Sequence, residues 1–118
     1  MRKFLFIVLI LSLAIVSTAS AEAGVRFHVA RARMSSDDGG RAADIYFCVT
    51  TSQWGSYNFK VKGTYRTRES STTFGPDNLC GNKLLWHHVQ ISPSFRGDRV
   101  TITVWGHGEK GSVEVPVR

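Results

Sequence analysis

The amino-acid sequence predicts an all-β protein: an antiparallel β-sandwich with one disulfide bond. Several short segments alternate apolar and polar residues, as strands with one buried face do. Polar segments rich in glycine, serine and aspartate separate them and are typical of turns. Beyond the N-terminal segment, no stretch of ten residues keeps a helical period. Six or seven short strands with polar turns favour a sandwich.

The first 21 residues predict a signal peptide. Arg2 and Lys3 precede an apolar run from Phe4 to Val16, and residues 17–21 end in the small-x-small pattern of a signal-peptidase site. The run is shorter than the roughly 20 residues of a membrane-spanning helix. We therefore expect a secreted protein in which residues 22–118 form a single β-sandwich domain.

The chain has two cysteines, Cys48 and Cys80. In an oxidising compartment, such a pair in a small domain is most simply a disulfide bond. The bond would close a loop of about 30 residues, and the chain-entropy model gives such a loop roughly 3–4 kcal/mol of stabilisation. Residues 57–68, a strongly basic segment, lie inside that loop.

Five further segments predict strands from their alternation or from their β-branched and aromatic residues. These are Val25–Arg31, Asp44–Thr51, Leu84–Ile91, Arg99–Trp105 and Ser112–Val117. The polar residues 34–41 predict a loop, residues 69–82 an irregular crossing, and residues 106–111 a glycine-rich loop.

The functional prediction depends on residues 57–68. In a single strand, Tyr57, Phe59 and Val61 would share one face. The opposite face would carry four cations, Lys60, Lys62, Arg66 and Arg68. Gly63 would mark a bend, a bulge or a hairpin turn that keeps the same sidedness. We interpret these cations as a ligand-binding surface for an anionic partner; the alternative is a solvated face that confers solubility.

Short motifs spread over most of residues 22–118 resemble those of C2 domains. The segment 32–47 is similar to the first loop and second strand of that family, and Asp38 and Asp44 stand six residues apart, like two of its calcium-ligating aspartates. Residues 66–68 (RTR) are similar to the family's K-T-K strand. Residues 98–105 (DRVTITVW) and 111–117 (GSVEVPV) are similar to its D-R-L-T-I-T-V-W and G-x-V-x-I-P-L.

The resemblance implies calcium as a cofactor, with Asp38 and Asp44 as metal ligands. It also implies that the four cations of residues 57–68 lie on a concave face that holds lipid head groups. The third loop of the family carries aspartates where this chain has Gly106 and Gly108. Because calcium takes six to eight oxygen ligands, we expect weak or no calcium dependence. Asp38, Asp44 and His107 would form a transition-metal cluster if their loops meet.

Together these patterns predict a secreted, non-enzymatic module that docks on anionic phospholipid surfaces. The alternative is a secreted protein-binding module, an inhibitor or effector, that uses the loops of the same sandwich; an anionic glycan is a third partner class. Catalysis is disfavoured because the adjacent His87 and His88 would face opposite sides of a strand. Predicted export argues against nucleic acid as the partner.

Overall fold

The computed structural model describes residues 24–36, 40–77 and 80–118. The predicted signal peptide and Asp38 lie outside these residues. The predicted all-β fold is confirmed, with two antiparallel sheets and a short 3-10 helix. None of the helices in the described part of the chain is long and apolar enough to cross a membrane. The elements are β1 (Arg26–Met34), β2 (Ala43–Thr50), β3 (Gly55–Lys62), β4 (Thr67–Phe74), the 3-10 helix (Lys83–Leu85), β5 (His87–Ile91), β6 (Arg99–Gly106) and β7 (Glu109–Pro116).

One sheet has three strands in the order β1-β2-β5, and the other has four in the order β4-β3-β6-β7. The chain therefore changes sheet between β2 and β3, between β4 and β5, and between β5 and β6. The seven strands are distributed as in a constant-type immunoglobulin domain, except that the fourth lies in the sheet of the third, sixth and seventh.

The inner faces of the two sheets enclose one hydrophobic core. In β3 the alternation puts Tyr57, Phe59 and Val61 inside, and Phe59 meets Phe47 of the other sheet edge-on, with ring centroids 5.6 Å apart. Each fully buried large apolar side chain stabilises the fold by roughly 1.5–3 kcal/mol relative to exposure. The largest fully buried side chains are Tyr57, Phe47, Ile45, Ile91, Ile102, Val61, Val100, Val104 and Val117.

The basic segment is a hairpin rather than a single strand. β3 ends at Lys62, residues 63–66 form the turn, and the Gly63 N–H donates to the Arg66 carbonyl oxygen at 2.8 Å. Lys62 is paired with Thr67, and Val61 is paired with Arg68. Since directly opposed residues share a face, Arg68 lies on the inner side with Val61, opposite to Lys60 and Lys62. The prediction of one face with four cations is wrong, because the four-residue turn exchanges the two faces.

The predicted irregular crossing at residues 69–82 is also partly wrong, because residues 69–74 continue β4. This strand forms the edge of its sheet, and all but its last residues are largely exposed. An edge strand exposed on both faces does not alternate, so its sequence, rich in serine and threonine, gave no periodic signal.

The predicted glycine-rich loop at residues 106–111 is instead a tight hairpin between β6 and β7. Gly106 is paired with Glu109, so His107 and Gly108 alone form the turn. Both have positive φ, 52° and 77°, which is the requirement of a type I′ turn.

The two sheets are joined differently along their two sides. At one side, Ala32 of β1 forms a parallel bridge with Val117, and the Met34 N–H donates to the Arg118 carbonyl oxygen at 2.9 Å. At the other side, no backbone hydrogen bond joins β4 to β5 within the described residues. A groove of about 550 Å³ lies there, lined by residues that include Phe59, Arg68 and Val89.

Candidate functional site

Two of the predicted binding residues, Lys60 and Lys62, lie on the outer face of the four-stranded sheet. The register adds a third lysine there, because Lys110 of β7 is paired with Trp105 of β6. Lys60, Trp105 and Lys110 line one depression of about 440 Å³ on this surface. We call Lys60, Lys62, Lys110 and Trp105 the lysine face.

Among the described residues the lysine face has three acidic neighbours. Glu69 is paired in register with Lys60, Glu114 lies on the same outer face, and Glu109 lines the depression but accepts hydrogen bonds from Ser52 and Tyr57. Glu114 is already bound by Arg99, at 2.9 Å. Within residues 24–36, 40–77 and 80–118 the lysines of this face form no ion pair, so their charges are available to a ligand.

The other two predicted cations do not join this face. Arg68 reaches across the open side of the sandwich, where its guanidinium donates to the Gln90 carbonyl oxygen of β5 at 3.0 Å. Arg66 lies in the exposed hairpin turn. The structure therefore separates Lys60 and Lys62, on the outer face of β3, from Arg68, on the inner side of β4, and from Arg66, in the turn.

Asp44, the described member of the predicted metal pair, is held by side chains of β5. Its Oδ1 is 2.9 Å from His88 Nε2 and accepts a hydrogen bond from Gln90 Nε2 at 3.2 Å. No group of three or more His, Cys, Asp or Glu side chains suited to a metal ion occurs among the described residues. Calcium binding through Asp38 and Asp44 stays a prediction, since Asp38 lies outside those residues.

Asp44 and His107 lie at opposite ends of the sandwich. Asp44 lies near the start of β2, whereas the His107 ring packs beside Gly55 and Tyr57, which follow the end of β2. Eight residues of strand, roughly 25 Å, separate the two ends. The condition for a transition-metal cluster of Asp38, Asp44 and His107 is therefore not met.

Glu109, beside the His107 turn, is a structural carboxylate. It accepts hydrogen bonds from Ser52 and, at 3.0 Å, from the Tyr57 hydroxyl. Desolvation raises its pKa, but the hydrogen bonds from Ser52 and Tyr57 and the charge of His107 outweigh it and lower the pKa of Glu109 overall. The ionised carboxylate thus ties the β6–β7 turn to the segment between β2 and β3.

The adjacent histidines face opposite sides of β5, as predicted. His88 is paired with Tyr46 on the outer face and stacks on its ring, with centroids 4.7 Å apart. His87 is paired with the buried Phe47 and also contacts Phe74, with ring centroids 4.7 Å apart. Burial lowers the pKa of His87.

A second basic cluster, which the sequence analysis missed, lies on the outer face of the three-stranded sheet. Arg31, Arg33, Tyr46, Lys83 and Trp86 line a cavity of about 240 Å³. Arg31 is paired with Tyr46 across β1 and β2, and Arg33 follows on the same face. The Arg31 guanidinium carbon lies 4.9 Å from the Trp86 ring centroid. We call these five residues the arginine pocket.

The disulfide bond anchors the segment that supplies Lys83 and Trp86 to this pocket. The predicted Cys48–Cys80 bond is confirmed, with Cα atoms 5.8 Å apart. Cys48 lies on the outer face of β2, so the bond fastens the segment that begins at Cys80 over that face. The Trp86 Nε1–H then donates to the Cys80 carbonyl oxygen at 2.9 Å, which fixes the indole above β1 and β2.

A scan against protein-family models found no match to this sequence, and a search of the curated proteins found no similar sequence. The resemblance to C2 domains therefore stays a prediction.

Proposed function

We propose that this chain is a secreted, non-enzymatic binding module that docks on anionic phospholipid surfaces through its lysine face, with weak or no calcium dependence. The observation that carries the proposal is the placement of three lysines on one outer sheet face, where they form no ion pair within the described residues. Lys60 and Lys110 line one depression with Trp105, and Lys62 follows Lys60 on the same face of β3.

The chemistry of these side chains suits a diffuse anionic surface. A lysine is a flexible, strongly hydrated point charge, which follows mobile head groups without requiring one fixed geometry. Each lysine near an anionic leaflet contributes about 1 kcal/mol. Trp105, half-buried among them, is the type of side chain that concentrates at the membrane–water interface.

The hairpin supplies a matched pair of charge reversals. Lys62→Glu and Arg66→Glu change the net charge equally; Lys62 belongs to the lysine face, whereas Arg66 lies in the exposed turn beyond the paired residues. We expect Lys62→Glu to lower the affinity for anionic liposomes, measured by sedimentation, by about tenfold, since it removes an attraction of about 1 kcal/mol and adds a repulsion. Lys60→Glu with Lys62→Glu should abolish it, whereas Arg66→Glu should bind nearly as the wild type does.

Neutral liposomes and added chelator complete the experiment. Wild-type protein should sediment with anionic vesicles alone, less at high salt because screening shortens the reach of the charges, and equally with and without calcium chelator. Equal losses for Lys62→Glu and Arg66→Glu would show that net charge rather than the lysine face is responsible. If wild-type protein does not sediment with anionic vesicles but captures a specific protein in a pull-down, the result would favour the protein-binding alternative.

A further inference from the structure

The arginine pocket has the features of a site for a single, discrete anion. We propose that Arg31, Arg33 and Lys83 bind one tetrahedral oxyanion, a sulfate or phosphate monoester group at the end of a larger ligand. The proposal does not rest on the lysine face, because the two clusters lie on the outer faces of different sheets and share no residue.

The backbone brings the three cations together from two distant parts of the chain. Arg31 and Arg33 project from the same face of β1, about 6.5 Å apart along the strand. Lys83 comes from the 3-10 helix that the disulfide bond holds against the same sheet. All three are exposed at their charged ends and line one cavity.

Trp86 organises two of these charges. The Lys83 Nζ lies 5.8 Å from its ring centroid, and the Arg31 guanidinium carbon lies 4.9 Å from it. Both distances fall within the range of roughly 6 Å over which a cation is attracted to an aromatic ring. Two like charges are thus held near one ring, and an anion between them would relieve their mutual repulsion.

No carboxylate of the described residues forms an ion pair with these cations. Within the described residues the ion pairs are His88–Asp44 and Arg99–Glu114, and neither involves a cation of the pocket. Asp44 is the closest acid in register, opposite Arg33, but its Oδ1 is engaged by His88 and Gln90 of β5. The arginine pocket therefore presents a surplus of positive charge.

The size and chemistry of the pocket favour an oxyanion group over a whole ligand. About 240 Å³ is below the range of roughly 300–1,000 Å³ of sites for drug-sized molecules. Arginine presents a planar fork of donors that matches the oxygens of phosphate-like groups, unlike the point charge of lysine. Tyr46 also lines the pocket, and a tyrosine hydroxyl can donate a hydrogen bond.

The test uses three small probes that differ only in the anionic group: glucose 6-sulfate, glucose 6-phosphate and glucose. Calorimetric titration of the wild-type protein should show binding of one or both esters and none of glucose. The tighter ester identifies which oxyanion the pocket prefers, and either result supports the proposal. In parallel, NMR should show a shift of the Trp86 indole N–H on titration, a readout that needs no variant. If neither ester binds at millimolar concentration, the proposal is overturned.

Variants then locate the bound ester. Arg33→Ala should weaken it about tenfold to a hundredfold, as expected for the loss of a hydrogen bond to a charged group. Arg26→Ala is the matched control, since it removes the same charge from the outer face of the same strand but lies outside the pocket. Arg33→Lys should also lose most of the binding, because it keeps the charge and removes the fork.

Two results would overturn the assignment of the site. One is an equal loss in Arg26→Ala and Arg33→Ala, and the other is full binding by Arg33→Lys; either would mean unspecific charge attraction. Thermal melting confirms that each variant is folded before its affinity is compared. Arg33→Ala should keep wild-type sedimentation with anionic liposomes, and Lys60→Glu with Lys62→Glu should keep ester binding, so the failure of one proposal is distinguishable from the failure of the other.

Discussion

Removal of the disulfide bond should affect stability and the arginine pocket at once. Cys48 and Cys80 are 32 residues apart, and the chain-entropy model gives a loop of this length about 3–4 kcal/mol of stabilisation at room temperature. We expect Cys48→Ala with Cys80→Ala to lower the free energy of unfolding by this amount. Urea unfolding followed by tryptophan fluorescence measures the loss.

The same double variant frees the segment that carries Lys83 and Trp86 from β2. We therefore expect it to lose the binding of the 6-sulfate or 6-phosphate ester and to keep sedimentation with anionic liposomes. Wild-type protein under reducing conditions should reproduce both effects, whereas the double variant should not respond to reductant. A loss of stability below about 1 kcal/mol would refute the loop-closure value of about 3–4 kcal/mol for this bond. Undiminished ester binding would refute the role of the bond in building the pocket.

Two further predictions concern the core and one end of the sandwich. Because burial lowers the pKa of His87 from 6.5, the unfolded chain takes up a proton first as the pH falls, so the free energy of unfolding should drop below about pH 6.5. Urea titrations from about pH 7 to about pH 5 should show a smaller drop for His87→Gln than for wild type or His88→Gln; an unchanged drop would contradict the assignment. In Gly75→Ala, the new methyl group would overlap the Trp54 indole, so we expect a cost of about 1–3 kcal/mol and a shift in tryptophan fluorescence. Gly81→Ala, with open space around it, is the control, and equal effects in both would exclude the overlap as the cause.

The strands that alternate between a buried and an exposed face could be predicted from the sequence. Val100, Ile102 and Val104 of β6 are all fully buried, so the alternate apolar residues of this strand correctly identify the face that lies against the core. β4 could not be predicted this way, because an edge strand with few buried residues shows no alternation of apolar and polar residues. The exchange of faces within residues 57–68 depends on the number of residues in the turn, which alternation does not encode; Gly63 indicated a turn but not its length.

The candidate site was harder to predict than the fold. The lysine pair followed from alternation within β3, but Lys110 joins it only through the register of β6 and β7. The arginine pocket combines residues about 50 positions apart, and the strand predicted to end at Arg31 continues to Met34. Extending that strand would have placed Arg31 and Arg33 on one face. The cysteine pair was predictable, but the face of β2 that carries Cys48 was not, because β2 is buried or half-buried throughout.

The two sheets are joined by backbone hydrogen bonds along one side of the sandwich only, so we expect the sheets to separate more easily along the other side. Backbone hydrogen bonds between Arg118 and both Ala32 and Met34 hold the two sheets together along one side. Along the other side, no backbone bond joins the edge strands β4 and β5 within the described residues. Local fluctuations should separate β4 from β5 first, since the single hydrogen bond from Arg68 to Gln90 is weaker than a ladder of backbone hydrogen bonds. We therefore expect the width of the groove between β4 and β5 to vary with these fluctuations. Arg31 and Arg33 of the arginine pocket lie on β1, the strand that carries the backbone bonds to Arg118, on the outer face away from this groove.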